Sequence, residues 1–359
     1  MRLERLHLQK VRCINDLSLD LAPGFNVFVG ANGAGKTSVL EAAFLLSHGR
    51  SFRSGAREAL IQRGASALSI FSSVRHEDGT LRRLGLGREG VRWDARLDGQ
   101  DVPLGQLIRE CSVVCFEPGS HALIAGAAEE RRRFLDWGVF HVEHEFLTTW
   151  RRYQRALKQR NSLLRAGTSP DKGLLGPWDV ELGRTGTLID QWRRSYLDAL
   201  LPFLREQAAW LLPELGDMEL RYRRGWPEGE DLADVLAVQR IRDQGRGHTT
   251  LGAHRADWLV SFQLAPQREH LSRGQEKLTA LVCVLAQAWL DAKQTGEWPI
   301  VCLDDLASEL DQAHQAAVIS GLYGTPAQVL LTGTELPKML EGRPISMFHV
   351  EQGQLTPLL

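Results

Sequence analysis

Residues Phe25-Asn26-Val27-Phe28-Val29-Gly30-Ala31-Asn32-Gly33-Ala34-Gly35-Lys36-Thr37-Ser38 read as a buried strand, a glycine-rich loop and the start of a helix. The helix is expected over Lys36–His48, where Val39, Leu40, Ala43, Phe44 and Leu46 recur at helical spacing. The loop satisfies G-x-x-x-x-G-K-[ST] in the strand–loop–helix setting that gives this pattern its meaning. Gly30, Gly33 and Gly35 let the backbone curl without Cβ clashes. The amides of the loop, including Ala31, Asn32 and Ala34, and those of the helix N-terminus then face an anion. In such a loop Lys36 reaches the β- and γ-phosphates of a nucleotide, and the Thr37 hydroxyl ligates Mg²⁺.

Working outward, the sequence before the loop predicts strands over Leu3–Leu8 and Ile14–Leu21, and the sequence after it predicts antiparallel strands between 67 and 98. Val113–Phe116 reads as a short buried strand. From Ala127 to Arg165 the chain is helical and basic, with Phe146, Trp150, Tyr153, Leu157 and Leu164 forming a heptad-like stripe. A Gly/Pro/Ser loop over 167–177 and a second helix over Val180–Leu211 complete an antiparallel helical hairpin. A strand over Leu220–Tyr222, a helix near Asp231–Asp243 and a polar stretch over Gln244–His248 close this region. After Thr250 a strand (Trp258–Leu264), an apolar helix (Gln275–Ala292), a buried strand (Pro299–Leu303), a helix (Gln312–Leu322) and further strands near 328–331 and 347–350 are expected.

Ile300-Val301-Cys302-Leu303-Asp304-Asp305 is an apolar strand ending in two carboxylates, the Walker B pattern of phosphate-binding-loop proteins. Asp304 is expected to hold Mg²⁺ and Asp305 to polarise an attacking water. Leu271-Ser272-Arg273-Gly274-Gln275 opens the apolar helix. Ser272 is a good helix N-cap. The segment also resembles the signature motif of ATP-binding-cassette ATPases, usually L-S-G-G-Q, with Arg273 in a glycine position. Ala307-Ser308-Glu309-Leu310-Asp311 resembles that family's D-loop, and Thr332 stands where the family has its switch residue.

The 359 residues are 43% hydrophobic and 24% charged with a net charge of −1, so any nucleic-acid surface must be local. The five cysteines are scattered without metal-ligand spacing, which points to buried reduced thiols and a cytoplasmic protein. No run is long enough to span a membrane. Lys36 and Ser272 are separated by 235 residues. A transporter-type cassette has roughly 100 there, and SMC-type coiled-coil arms are far longer.

With the mid-chain segments Ser51-Phe52-Arg53-Ser54, Arg131-Arg132-Arg133-Phe134-Leu135-Asp136-Trp137-Gly138, Ala156–Asn161 and Gly252–Asp257 added, the whole chain resembles the RecF family of ABC/SMC-like ATPases. The resemblance implies an α/β fold, with a P-loop ABC-type head of mixed sheet and flanking helices and an inserted helical-hairpin lobe. Its expected boundaries are 1–115 plus 250–359 for the ATPase lobe and 116–249 for the helical lobe. It further implies ATP and Mg²⁺ as cofactors and an ATP-driven homodimer. In that dimer Ser272, Gly274 and Gln275 of one subunit close over the γ-phosphate held by Gly30–Thr37, Asp304, Asp305 and Thr332 of the other. Binding of duplex and single-stranded DNA at gaps, work with RecR, RecO and RecA, and a role in SOS induction are implied as well.

Between Arg131 and Arg165 nine residues are basic and three acidic, and Arg151, Arg155 and Lys158 share one helix face. They are the expected phosphate-backbone contacts. Aspartate at 305, one methylene shorter than the glutamate common there, predicts slow turnover suited to a switch. Two other readings are a transporter ATPase subunit, which the Lys36–Ser272 spacing opposes, and a non-hydrolysing scaffold stabilised by ATP.

Overall fold

A computed structural model describes residues 1–53, 60–166 and 172–358. Ser54 and residues 167–171 of the expected loop lie outside the described residues. Along the chain, β1 (Arg2–Val11), β2 (Ile14–Asp20) and β3 (Phe25–Val29) precede α1 (Lys36–His48). Strands β4 (Ala67–Arg75), β5 (Leu81–Glu89), β6 (Arg92–Leu97) and β7 (Gln100–Asp101) follow, then α2 (Leu104–Arg109) and β8 (Val113–Phe116). The middle of the chain holds α3 (Ala122–Ala125), α4 (Ala128–Val142), α5 (Phe146–Arg165), α6 (Lys172–Leu211), β9 (Met218–Arg223), α7 (Leu232–Val238), α8 (Arg240–Arg246) and β10 (Asp257–Phe262). The last part is α9 (Arg273–Thr295), β11 (Ile300–Leu303), α10 (Leu306–Glu309), α11 (Gln312–Tyr323), β12 (Val329–Gly333), β13 (Ser346–Glu351) and β14 (Gln354–Pro357).

The chain divides into two compact units. The first comprises Met1–His121, Trp210–Leu212 and Ser272–Leu359. It contains a six-stranded sheet of order β14-β13-β3-β12-β11-β8, parallel except for the β13–β14 pair. Every residue of β3, β11 and β12 is buried, as expected of strands covered on both faces. A second six-stranded sheet, β2-β1-β4-β5-β6-β7, is wholly antiparallel, and one face of it contributes Leu6, Leu8, Ile70, Leu84 and Leu86 to the core.

The second unit comprises Ala122–Ala209 and Pro213–Leu271. Residues 250–271, expected in the ATPase lobe, fall here because β10 pairs antiparallel with β9 along its whole length. Helices α5 and α6 do lie antiparallel. Phe146 meets Trp192 edge-on, with ring centroids 6.1 Å apart, and Arg152 pairs with Glu181 at 2.8 Å. Helix α6 begins eight residues before the expected Val180. Pro177 lies near its start, where proline forfeits a single intrahelical bond instead of breaking a central turn. The helix expected from Ala127 to Arg165 is two, because Glu143 adopts an extended conformation between α4 and α5. The polar stretch after Asp243 is helical as far as Arg246, where Gly247 caps α8 in the left-handed conformation.

The arginines expected to add to a basic surface separate sharply. Arg131 is buried, with Nε donating to Asp257 Oδ1 at 2.7 Å and Nη1 to the Gly126 carbonyl at 2.9 Å. Arg193 is buried against Asp136 at 2.8 Å and donates to the Ala253 carbonyl at 2.7 Å. Arg160 has no exposed surface and donates to Asp179 at 2.7 Å, Asp243 at 2.6 Å and Thr249 Oγ1 at 2.9 Å. Trp258 Nε1 donates to the Arg131 carbonyl at 2.7 Å. A Cβ on Gly138 would stand 2.2 Å from the Tyr196 ring, so α4 and α6 need glycine there to touch. The mid-chain segments that carry the family resemblance are thus largely the internal frame of this unit.

Candidate functional site: a phosphate-binding cleft

Strand β3 runs straight into the loop. Gly30 has φ +157°, and a Cβ on it would sit 2.2 Å from the Val350 carbonyl oxygen, so only glycine lets the loop turn beside β13. Gly35 caps α1 with φ 115° and no side-chain cap bond. The first-turn amides of α1 therefore have no side-chain acceptor at the cap and can face an anion. Lys36 Nζ curls back onto the loop, donating to the Gly30 carbonyl at 2.7 Å and the Ala31 carbonyl at 2.9 Å. Burial lowers its pKa, while Asp305 and Asp304 pull it back up. An arriving phosphate would supply the negative charge that these neutral carbonyls only approximate.

Sheet order explains the rest of the site. Strand β12 lies between β3 and the Walker B strand β11, so Thr332 at its end stands between loop and carboxylates. Thr332 Oγ1 donates to Asp304 Oδ1 at 2.7 Å and accepts the Asp305 N–H at 2.8 Å. Thr37 Oγ1 donates to the same Asp304 oxygen at 2.8 Å. Thr332 therefore holds the Asp304 carboxylate and the Asp305 backbone while lining the cleft, the side on which the sequence places it. Burial raises the Asp304 pKa, opposed by the Thr332 and Thr37 hydrogen bonds. Asp305 adopts a left-handed conformation with φ 51° as the cap of α10.

The donor set suits Mg²⁺. A hydroxyl and a carboxylate are hard oxygen ligands, and Mg²⁺ at nucleotide sites takes its remaining positions from phosphate and water. Among the described residues no group of three or more His, Cys, Asp or Glu side chains forms a metal cage.

A cleft of about 880 Å³ opens over these groups. Asn32, Gly33, Gly35, Lys36, Thr37, Ser38, Asp305 and Thr332 wall it, together with Arg12, Cys13, Arg53, Ile61 and Arg63. Sequence reasoning missed the last five. Arg53 belongs to a segment that carries the family resemblance, but nothing in its neighbouring residues marks it as a wall of the cleft. Cys13, expected to be buried, is exposed. Glu117 was missed as well. It follows β8, which runs parallel beside β11 in the register Phe116↔Leu303, so it neighbours Asp304. Burial pushes its carboxyl up to about 7 despite the Gly119 N–H, and the Asp304 charge adds to the rise.

Ser272, Gly274 and Gln275 do not wall this cleft. Ser272 and Gln275 form a capping box at the start of α9, with Gln275 N–H donating to Ser272 Oγ at 3.3 Å and Ser272 N–H to Gln275 Oε1 at 3.0 Å. Lys277 then bonds Glu309 of the D-loop segment at 2.7 Å. In the second unit Arg151, Arg155 and Lys158 are exposed along α5.

The chain was compared with known proteins. The family described as "RecF/RecN/SMC N terminal domain" matches residues 2–356. A protein of Stenotrophomonas maltophilia named "DNA replication and repair protein RecF" is 49% identical over 362 residues, covering 99% of both chains. One of Pseudomonas paraeruginosa with the same name is 40% identical over 362 residues, covering 99% of this chain and 98% of its own. A solved structure of the recombination mediator protein RecF with ATP superposes with a TM-score of 0.91 at 24% identity, covering 99% of this chain and 97% of that one. An Smc head bound to a domain of ScpA superposes with a TM-score of 0.60 at 16% identity, covering 100% and 98%. A loop, a Walker B pair and a signature helix assembled on one such head, in a chain matched end to end, place it in a single group: the chain belongs to the RecF family of the RecF/RecN/SMC proteins.

Proposed function

We propose that this protein is an ATP-dependent DNA-binding protein of recombinational repair, in which ATP drives dimerisation and a slow ATPase resets it. One observation carries the nucleotide part. Thr37 and Asp304, 267 residues apart, share a 2.8 Å hydrogen bond at the mouth of a glycine-lined loop. That is the pairing a Mg²⁺-nucleotide site requires.

Lys36 leaves the Gly30 and Ala31 carbonyls for the β- and γ-phosphates. Thr37 and Asp304 hold Mg²⁺, which neutralises phosphate charge. Asp305, oriented through its N–H bond to Thr332, polarises the attacking water. Its short side chain keeps turnover slow. Ser272, Gly274 and Gln275 act in trans, which suits their position at an exposed helix start away from their own cleft. The capping box holds that start rigid before a partner arrives. Duplex DNA or a gap junction lies along Arg151, Arg155 and Lys158. RecR, RecO and RecA are the partners that the relatives' name and family suggest, with loading of RecA at gaps and SOS induction as the outcome.

Sedimentation with ATP, ADP and no nucleotide tests this. Dimers are expected with ATP alone, and Lys36→Arg and Ser272→Arg should remain monomeric. Because Ser272 also caps α9, its variant is compared at matched folded fraction. ATP-dependent dimers in both variants would overturn the composite site. A constitutive dimer indifferent to hydrolysis would favour the scaffold reading.

A further inference from the structure

Two arginines of the second unit share a geometry suited to a phosphate. Arg194 lies on α6, and Arg224 directly follows the last residue of β9. Each guanidinium lies over an aromatic ring. Arg194 Cζ is 5.2 Å from the Tyr222 ring centroid, and Arg224 Cζ is 3.8 Å from that of Trp226. Stacking fixes the plane of a guanidinium and leaves its N–H edges for an anion. Trp226 is 5% exposed, so its ring serves the guanidinium and not a nucleobase. Its Nε1–H is buried without a hydrogen-bond partner among the described residues, which is costly unless an acceptor comes to it.

Two carboxylates face this pair, and they are not equivalent. Asp190 is buried one helical turn before Arg194, with Oδ2 3.1 Å from Arg194 Nε and 3.5 Å from Arg224 Nε. It is the fixed counter-charge. Glu228 is 67% exposed, and its two oxygens divide between the arginines. Oε1 is 2.7 Å from Arg194 Nη2, and Oε2 is 3.8 Å from Arg224 Nη1. The next residue, Gly229, has φ +78°, and a Cβ on it would meet nothing within 4 Å, so this turn stands in open space. Glu228 can therefore leave without disturbing the packing beneath it. Once it does, Arg194 and Arg224 against Asp190 leave one net positive charge. That matches a phosphodiester, which carries one negative charge, better than a phosphate monoester, which carries nearly two.

We propose that Arg194 and Arg224 form a clamp for a backbone phosphodiester of DNA, and that Glu228 closes the clamp by standing in for the phosphate until DNA displaces it. This rests on the protein binding DNA, and the clamp is separate from the residues already assigned to that role on α5.

The test removes the competing charge and keeps its shape. A labelled single-stranded oligonucleotide is titrated by fluorescence anisotropy across a salt series into wild type, Glu228→Gln, Arg194→Ala and the double variant. Glu228→Gln should tighten binding by about three- to fivefold at 0.1 M salt, the scale of one exposed ion pair. It should also steepen the salt dependence by about 0.7, as one added phosphate contact does. Arg194→Ala should cancel both gains in the double variant. Unchanged binding in Glu228→Gln would overturn the proposal. So would a gain that persists without Arg194, since it would reflect only the loss of a negative charge. Inorganic phosphate at matched ionic strength should not compete, and displacement of the oligonucleotide by it from Glu228→Gln alone would assign the clamp to a free anion and overturn the proposal too. Wild type and variants that all failed to bind at low salt would remove the DNA reading beneath it.

Discussion

In the parallel-sheet unit Arg12, Arg53 and Arg63 line an open cleft, whereas in the helical unit Arg131, Arg160 and Arg193 are buried among carboxylates. The residue type is the same and the environments differ. In the cleft Arg53 and Arg63 are exposed beside the glycine-rich loop, and of the three only Arg12 is paired with a buried carboxylate, Glu41. In the helical unit their counter-charges are internal, and those partners lie far off in sequence: Arg131 with Asp257, Arg160 with Asp243, Arg193 with Asp136. A basic run therefore measures available charge, not surface charge. Arg151, Arg155 and Lys158, by contrast, share one face of α5 and are exposed.

The contrast can be broken at its strongest point. Arg160→Ala leaves Asp179 and Asp243 buried without their guanidinium and should cost about 3–5 kcal/mol. Chemical denaturation reads this directly, and a midpoint equal to wild type would show that the buried network contributes no stability. In the cleft the same kind of deletion should spare the fold and remove binding. Lys36→Ala should weaken ATP by about a hundredfold, or about 2.7 kcal/mol, with no loss of melting temperature, because a partly desolvated amine is removed. Calorimetric titration beside a thermal melt tests both halves.

Charge reversal of Arg151, Arg155 and Lys158 together should weaken DNA about tenfold at 0.1 M salt and flatten the salt dependence by about 0.9 per lost phosphate contact. Fluorescence anisotropy across a salt series would expose an unchanged slope, which would move the DNA face off α5. The smallest effect concerns pH. Burial holds the Glu117 carboxyl at about 7, above the ordinary 4.5, so the folded state binds this proton more tightly than the unfolded chain. The contribution to stability is complete below the ordinary value and is lost as pH rises through about 7. Glu117→Gln should therefore narrow the gap in melting temperature between pH 5 and pH 8 by about a few degrees. A gap as wide as in wild type would show that Glu117 is not the titrating group.

How much was legible follows the same division. The bounds of β3 and α1 match the sequence reading because a strand–loop–helix around phosphate demands glycine, lysine and threonine at fixed positions. The buried strand that ends at Asp304 and Asp305 was legible because four apolar residues followed by two carboxylates mark where a covered strand leaves the sheet. The start of α6 was not, since Pro177 signals a break locally and a long helix tolerates it near its end. The allegiance of residues 250–271 was not, since it depends on β10 finding β9 about 40 residues earlier. The Thr332 bond to Asp304 was not, because strand order cannot be read from a strand's own residues.

The sequence by itself determined the glycine-rich loop between strand and helix, the buried strand ending in Asp304 and Asp305, the helix opened by Ser272 and the family, because each is written in contiguous residues whose chemistry is local. The tertiary structure alone decided which arginines face water, that Thr332 orients Asp304 and Asp305, and that Arg53 and Arg63 reach the cleft. Those outcomes depend on burial and on partners brought together across tens to hundreds of residues, and no local pattern encodes the desolvation that sorts one arginine from another.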